Sequence, residues 1–318
     1  MTTPQQYDVV VVGGGPAGLN GAMMLARSRR SVAVVDSGRP RNAASAAAHG
    51  LFARDGTAPA ELLATGRAEV RRYGGTVVAG EVVGARRDGD GFTVTLAGGA
   101  VLGARRLLVT TGLTDVLPDV AGLAQGWGDD VVHCPYCHGW EVRDRPIAVL
   151  GVGPMSMHHA LMFRQLSADL VFVAHSVAPT PEQRERCDAL GIRVVDGPVL
   201  EVVRTADGAV GGLRTADGVV PCAVVAVATR MEARAGFLDE LGLVPVEHPS
   251  GAGHHLVADG TGRSEVEGVW VAGNVTDLMA QVGAAAAAGA LAGAAINGDL
   301  VEADAVAAVA RHRDAARI

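Results

Sequence analysis

The chain has 318 residues, 49% of them hydrophobic, and a formal net charge of -7 with no basic cluster. It is long enough to bury a large core in two domains, and its charge excludes nucleic acid as a partner. Met1–Gln6 is polar and uncharged, Val9–Val12 is only strand-length, and Ala284–Ala295 is broken by Gly289 and Gly293. The expectation is therefore no secretory signal, no bilayer span and no membrane partner, with the four cysteines in a reducing cytoplasm.

Tyr7–Val12 is a continuous apolar run of the kind that forms a strand buried on both faces of a parallel sheet. Gly13-Gly14-Gly15-Pro16-Ala17-Gly18 follows at once, then a helix over Leu19–Arg29 and a strand over Ser31–Val35 that ends in Asp36. This is the full context of a dinucleotide site: strand, tight glycine turn, helix N-terminus for the pyrophosphate, and an acid for the ribose hydroxyls. Gly13, Gly15, Pro16, Ala17, Gly18 and Asp36 are its candidate contacts. The motif alone does not separate FAD from NAD.

From Gly38 to Gly56 the chain is irregular, with Arg39, Arg41, Asn42, His49, Arg54 and Asp55 among small residues. Such a loop either lies over the dinucleotide, making Arg41 and Asn42 cofactor contacts, or is a solvated surface loop. Ala60–Tyr73 has helical spacing. Thr76–Val83 and Phe92–Leu96 are expected to be strands of one antiparallel meander joined through Asp88–Gly91. Leu107–Gly112 is another buried strand; such a strand often ends beneath a cofactor, which would put Thr111 and Gly112 against it, the alternative being a plain strand end.

Cys134-Pro135-Tyr136-Cys137-His138 permits three chemistries: a redox dithiol, c-type haem attachment, or part of a zinc site with His133 and His138. A second nucleotide-type unit begins just after it. Pro146–Leu150 reads as a strand, Gly151–Ser156 as a second glycine turn, and the following residues to Leu166 as an apolar helix. Leu170–Ala174 is the next strand, but neither an acid nor an arginine stands at its tip to read a ribose; Arg184 and Arg186 fall in an exposed helix. Val219–Ala228 reads as one buried strand containing Cys222. Cys187 and Cys222 have no cysteine partner at motif spacing and read as packing residues.

Gly268–Asn274 is a strand running into a Gly-Asn turn, and Gln281 to Ala295 a helix of small residues. Small side chains let backbone approach a flat ring or a neighbouring helix; the position of Gln281 and Val282 favours the cofactor.

Taken together, the GGGPAG turn with Asp36, the Thr-Thr-Gly strand end, the Cys-x-x-Cys, GVGPMS, and Gly273-Asn274 followed by QVGAAAA resemble the low-molecular-weight thioredoxin reductase-like disulfide oxidoreductases over nearly the whole chain. The resemblance implies an α/β fold of two Rossmann-like three-layer domains. An FAD domain over 1–115 and 246–318 would be split by a 116–245 NAD(P)-type domain carrying the dithiol. It also implies a homodimer, and Gly273, Asn274, Gln281 and Val282 as further FAD contacts. CPYCHGWE is closer to the flavin-dependent dithiol oxidases, the gliotoxin- and holomycin-type enzymes that close disulfides in small molecules and pass electrons to oxygen.

Three departures separate this chain from thioredoxin reductases. His138 stands where they carry an Asp after the second cysteine. Ala174, His175 and Ser176 stand in the region of their paired NADPH-binding arginines, and Asn274 replaces an Asp. The first two favour oxidation of a small-molecule dithiol by O2, giving H2O2, over NAD(P)H-dependent reduction of a thioredoxin-like protein or a non-catalytic flavin-bound sensor. Haem attachment lacks an export signal and zinc lacks a second ligand pair, so no metal is expected. The resemblance implies that Cys137 lies nearest the flavin and that Cys134 exchanges with substrate. An imidazole suits the base that takes the thiol proton, His138 first and His133 second, the alternative for either being a helix-terminus histidine without chemistry.

Overall fold

The computed structural model describes residues 4–317. Its first half builds β1 (Gln5–Val12), α1 (Pro16–Arg27), β2 (Val32–Asp36), α2 (Pro59–Arg72), β3 (Thr76–Ala79), β4 (Val82–Asp88), β5 (Gly91–Leu96) and β6 (Val101–Val109). Valines crowd β1 and β2 because both strands lie in the sheet interior, where β-branched side chains pack on both faces. β1 is paired in parallel with β2 on one side and β6 on the other.

The stretch expected to be one strand over Thr76–Val83 is two. β3 extends the parallel sheet beside β2, and β4 forms a hairpin with β5. The break falls at Gly80-Glu81, where Gly80 N–H donates to Asp36 O and Ala97 N–H to Glu81 O. Side-chain alternation reports that a segment is extended, not which neighbour it takes.

The chain then runs through β7 (Leu113–Val116), β8 (Val131–Val132), α3 (Pro135–His138), β9 (Ile147–Leu150), α4 (Ser156–Arg164), β10 (Leu170–Ala174), α5 (Pro181–Leu190) and β11 (Arg193–Asp196). It continues with β12 (Glu201–Arg204), β13 (Val210–Thr215), β14 (Gly218–Pro221) and β15 (Val224–Val227). A second parallel sheet is ordered β11-β10-β9-β15-β8, with β12-β13-β14 as a small antiparallel sheet beside it. The single strand expected over Val219–Ala228 is divided between these two sheets at Pro221-Cys222, where proline cannot donate to a continuing ladder.

β7 pairs antiparallel with β16 (Arg230–Ala233), so the chain passes between the two parallel sheets along adjacent strands. β17 (Val246–Glu247) and β18 (Gly253–His255) complete that four-stranded sheet. β19 (Val269–Val271) then returns to the first sheet beside the second half of β6, whose first half pairs with β5.

α6 (Val282–Ala315) is 34 residues long and runs well past Ala295, where the sequence pattern ends it. Ile296 and Leu300 are buried, and Asp299 and Asp304 are ion-paired to Arg106 and to Arg30 and Arg105. By length and composition the helix could cross a bilayer, contrary to the expectation of no span drawn from the breaks at Gly289 and Gly293. Its apolar half is instead laid on α1. A Cβ on Gly289 would come 1.9 Å from Ala17 O, and one on Gly293 2.7 Å from Gly21 O. Gly289 and Gly293 therefore serve this helix contact, while Gln281, Val282 and Ala285 line the cavity of the candidate site and Gly283 approaches Leu51 in the loop over it.

Candidate active site

One cavity of about 870 Å³ is shared by the two parallel sheets. Its floor is the first glycine turn. Gly13 has φ +107°, and a Cβ there would sit 2.4 Å from Thr110 O; one on Gly14 would sit 2.5 Å from the Asp36 carboxyl carbon. Gly15, the residue that precedes α1, has nothing within 4 Å of that position. The result is an open cradle with helix amides at its base and a carboxylate at one end. That is the donor and acceptor set that a dinucleotide needs, in a volume that suits one.

Gly13, Gly15, Pro16, Ala17, Asp36, Arg41, Asn42, Thr111, Gly112, Gly273, Asn274, Gln281 and Val282 all line this cavity. Gly18 does not. A Cβ there would stand 1.9 Å from Gly13 O, so this glycine lets α1 lie against the turn. Arg41 lines the wall, but its guanidinium is taken up by Asp115 in two bonds of 2.7 Å. Asn274 donates its amide N–H groups to the carbonyls of Asp277 and Ala280, and among the described residues its oxygen has no hydrogen-bond partner.

The dithiol faces the same space. Cys134 precedes α3, Pro135 opens that short helix, and Cys137 follows one turn later. The Cys137 thiol donates to Cys134, and the Tyr136 and Cys137 amides add to it; against the cost of burial this lowers Cys134 from 9.0 to about 6. Cys137 is pushed up, because its proton is held by the Cys134 thiolate. Gln281 Nε2 stands 4.0 Å from Cys137 Sγ. Cys187 and Cys222 are both buried away from this pair, and burial pushes Cys222 up to about 12.

Two candidate histidines flank the thiols with different constraints. His133 Nδ1 lies 3.1 Å from Val227 O. A carbonyl only accepts, so Nδ1 carries the hydrogen and Nε2 keeps its lone pair. His138 Nε2 lies 3.1 Å from Ser45 Oγ, a partner that fixes neither tautomer. Burial lowers both imidazoles below 6.5. Among the described residues no three His, Cys, Asp or Glu side chains are gathered as a metal site.

The sequence reading missed the far wall. Met155, His158, His159 and Met162 line the cavity. Their i, i+3, i+4, i+7 spacing was legible as one helix face, but nothing local says what that face meets. His159 is 6% exposed, lies edge-on to His133 with centroids 5.2 Å apart, and is lowered to about 4 by burial.

The second glycine turn differs from the first. Ser156 Oγ accepts from the N–H of Val152 at 3.0 Å and of Gly153 at 3.1 Å. The backbone after β10 folds onto the same turn, with Ser176 and Val177 N–H donating to Gly151 O.

The family model described as pyridine nucleotide-disulphide oxidoreductase matches residues 7–289. Thioredoxin reductase tcpT of Claviceps purpurea is 33% identical over 92% of this chain and 94% of its own length. Thioredoxin reductase sirT of Leptosphaeria maculans is 31% identical over 95% and 97%. Among solved structures, HlmI superposes with a TM-score of 0.90 at 43% identity, covering 100% of this chain and 98% of its own. An oxidoreductase from Agrobacterium tumefaciens gives 0.86 at 33% identity over 93% and 99%.

Proposed function

The chain belongs to the flavin-dependent pyridine nucleotide-disulphide oxidoreductases and is a thioredoxin reductase-like enzyme; from that premise we propose that it oxidises a small dithiol to a disulfide, using FAD and molecular oxygen. The net reaction is dithiol plus O2 to disulfide plus H2O2. The observation that carries this direction is the Ser156 hydroxyl. It occupies the Val152 and Gly153 amides that a nicotinamide dinucleotide would need for its diphosphate.

FAD would be held by Gly13–Ala17 at its pyrophosphate and by Asp36 at a ribose, with Gly273, Asn274, Gln281 and Val282 on the opposite side. When bound, it accepts the two electrons of the reduced dithiol and passes them with two protons to oxygen. The protein's own part is thiol exchange. A substrate thiolate attacks Cys134 of the Cys134–Cys137 disulfide, and Cys137 departs. The second substrate thiol attacks the substrate sulfur of the mixed disulfide, and Cys134 departs. A thiol lowered to about 6 is a good leaving group, which favours release of substrate disulfide over return of the mixed species. One substrate proton remains on Cys137, and the other goes to a base. His133 suits that base because Val227 O fixes its lone pair on Nε2. His138, ahead of it in the sequence reading, shares its Nε2 with Ser45.

The test is anaerobic mixing of the yellow holoenzyme with dithiothreitol, NADPH or NADH. Bleaching of the flavin by dithiothreitol alone, with H2O2 released on admitting air, is the expected result. Bleaching by either nicotinamide would overturn it in favour of a protein-disulfide reductase, the reading that the names of the fungal relatives support.

A further inference from the structure

Resting on the dithiol-oxidase reading, we infer that the α4 face formed by Met155, His158, His159 and Met162 is the wall against which the substrate binds, and that it selects an uncharged dithiol over an anionic one. The four side chains line the cavity that also contains Cys134 and Cys137. At the start of their helix Ser156 Oγ already takes up the Val152 and Gly153 amides, which leaves the face to serve another ligand within that cavity.

The distribution of charge gives the selectivity. Among the described residues the Asp, Glu and Arg side chains that line the cavity are Asp36, Arg39, Arg41, Glu81, Asp115 and Arg234. All come from the first half of the chain or from the strands that cross between the sheets. Three ion pairs already use five of them: Arg41 with Asp115, Arg39 with Glu81, and Asp36 with Arg67. Arg234 donates to Thr114 Oγ1 and Arg39 O. From Trp127 to His138 and from Met155 to Met162, the lining holds imidazoles, thioethers, thiols, two aromatic rings and aliphatic groups. The chain has no lysine at all. Against this wall a carboxylate carried by the substrate would leave water with no arginine or lysine among the wall's own residues to meet it, whereas an amide or hydroxyl can pair with an imidazole or with Ser45. Methionine thioethers suit an apolar, sulfur-bearing body.

His159 adds a second mark of this wall. It is 94% buried by its 6% exposure, and among the described residues its Nδ1 has no hydrogen-bond partner. A buried imidazole with edge contacts to His133 and Phe163 and no partner at Nδ1 gives the wall a neutral rather than a cationic surface.

Dihydrolipoamide and dihydrolipoate differ in charge and little else, so they are the probes. With wild-type holoenzyme under anaerobic conditions, dihydrolipoamide should bleach the flavin at least ~10-fold faster. Met155→Arg, at a position 37% exposed, should narrow that ratio several-fold, and Met162→Arg should do the same; Val257→Arg, outside the cavity, should leave it unchanged. Flavin content and melting temperature establish that each variant is folded. Equal rates in the wild type, or a ratio unmoved in both folded methionine variants, would overturn the inference while leaving the oxidase reading intact. Bleaching by neither dithiol would overturn both.

Discussion

Arg41 grips Asp115 through two parallel hydrogen bonds, Nε to Oδ2 and Nη2 to Oδ1, each 2.7 Å long. Arg41 stands in the loop after β2, and Asp115 in β7, the strand that leads towards the dithiol. Thr229 donates a third bond to the same carboxylate just before the returning strand β16. The pair thus fastens the cradle to both crossings of the chain.

Removing one partner should cost more than removing both. Asp115 is mostly buried, so Asp115→Ala leaves the Arg41 guanidinium uncompensated and should destabilise by about 3–5 kcal/mol. The double variant Arg41→Met with Asp115→Leu should recover much of that loss in urea unfolding. Burial opposes ionisation of Asp115, but Arg41 and Thr229 outweigh it and hold its pKa below 3.8. The contribution of the pair should therefore be complete above an unfolded carboxylate pKa of about 3.9 and fade as pH falls through the lower folded value.

Alkylation should reveal the asymmetry of the dithiol. In reduced enzyme, iodoacetamide should modify Cys134 with a rate that rises through about pH 6, because the thiolate is already present there. Cys137→Ala removes the largest cause of that shift, the thiol donor, and should move the midpoint upward. An unchanged midpoint measured by mass spectrometry would refute the shared-proton arrangement.

The two histidines can be ranked by pH profile. His133→Gln should slow anaerobic flavin reduction by dithiol by about 10²-fold at pH 7 and lose less at high pH, where substrate thiols ionise unaided. With its pKa lowered by burial, His133 stays unprotonated at neutral pH, so the wild-type rate should fall only as pH drops below the usual imidazole range. A larger loss in His138→Ala would assign the base to His138.

Glycines of the same composition should respond oppositely. Gly289→Ala drives a methyl into Ala17 O and should destabilise by about 1–3 kcal/mol, since two helix backbones must part. Gly15→Ala meets no protein atom. It should leave the melting temperature of apoprotein unchanged and weaken FAD retention, read by equilibrium dialysis.

The parts legible in sequence were those whose physics is local. β1, the Gly13–Gly18 turn and Asp36 announced a dinucleotide cradle because glycine is needed wherever backbone must come within a few ångströms of other atoms. The spacing of Cys134 and Cys137 left a dithiol, a haem tether and part of a zinc site open, and the flanking nucleotide motifs favoured the dithiol. Strand partners were not legible: Thr76–Val83 and Val219–Ala228 each proved to be two strands, because an extended segment carries no record of which edge it joins. The end of α6 was missed for a similar reason. Asp299 and Asp304 read as ordinary surface charges until Arg30, Arg105 and Arg106 were brought beside them.

By itself, then, the sequence determined a cradle, a dithiol and a family resemblance that covers both. Tertiary structure alone decided how they work together. It set Val227 O against His133 and Ser45 against His138, folded Ser156 into the second glycine turn, and brought Met155 and Met162 to the lining of the cavity that the thiols share. Each of these is a contact made by packing between elements, or by the direction in which a side chain leaves its helix. Neither quantity has a period that the order of residues can display.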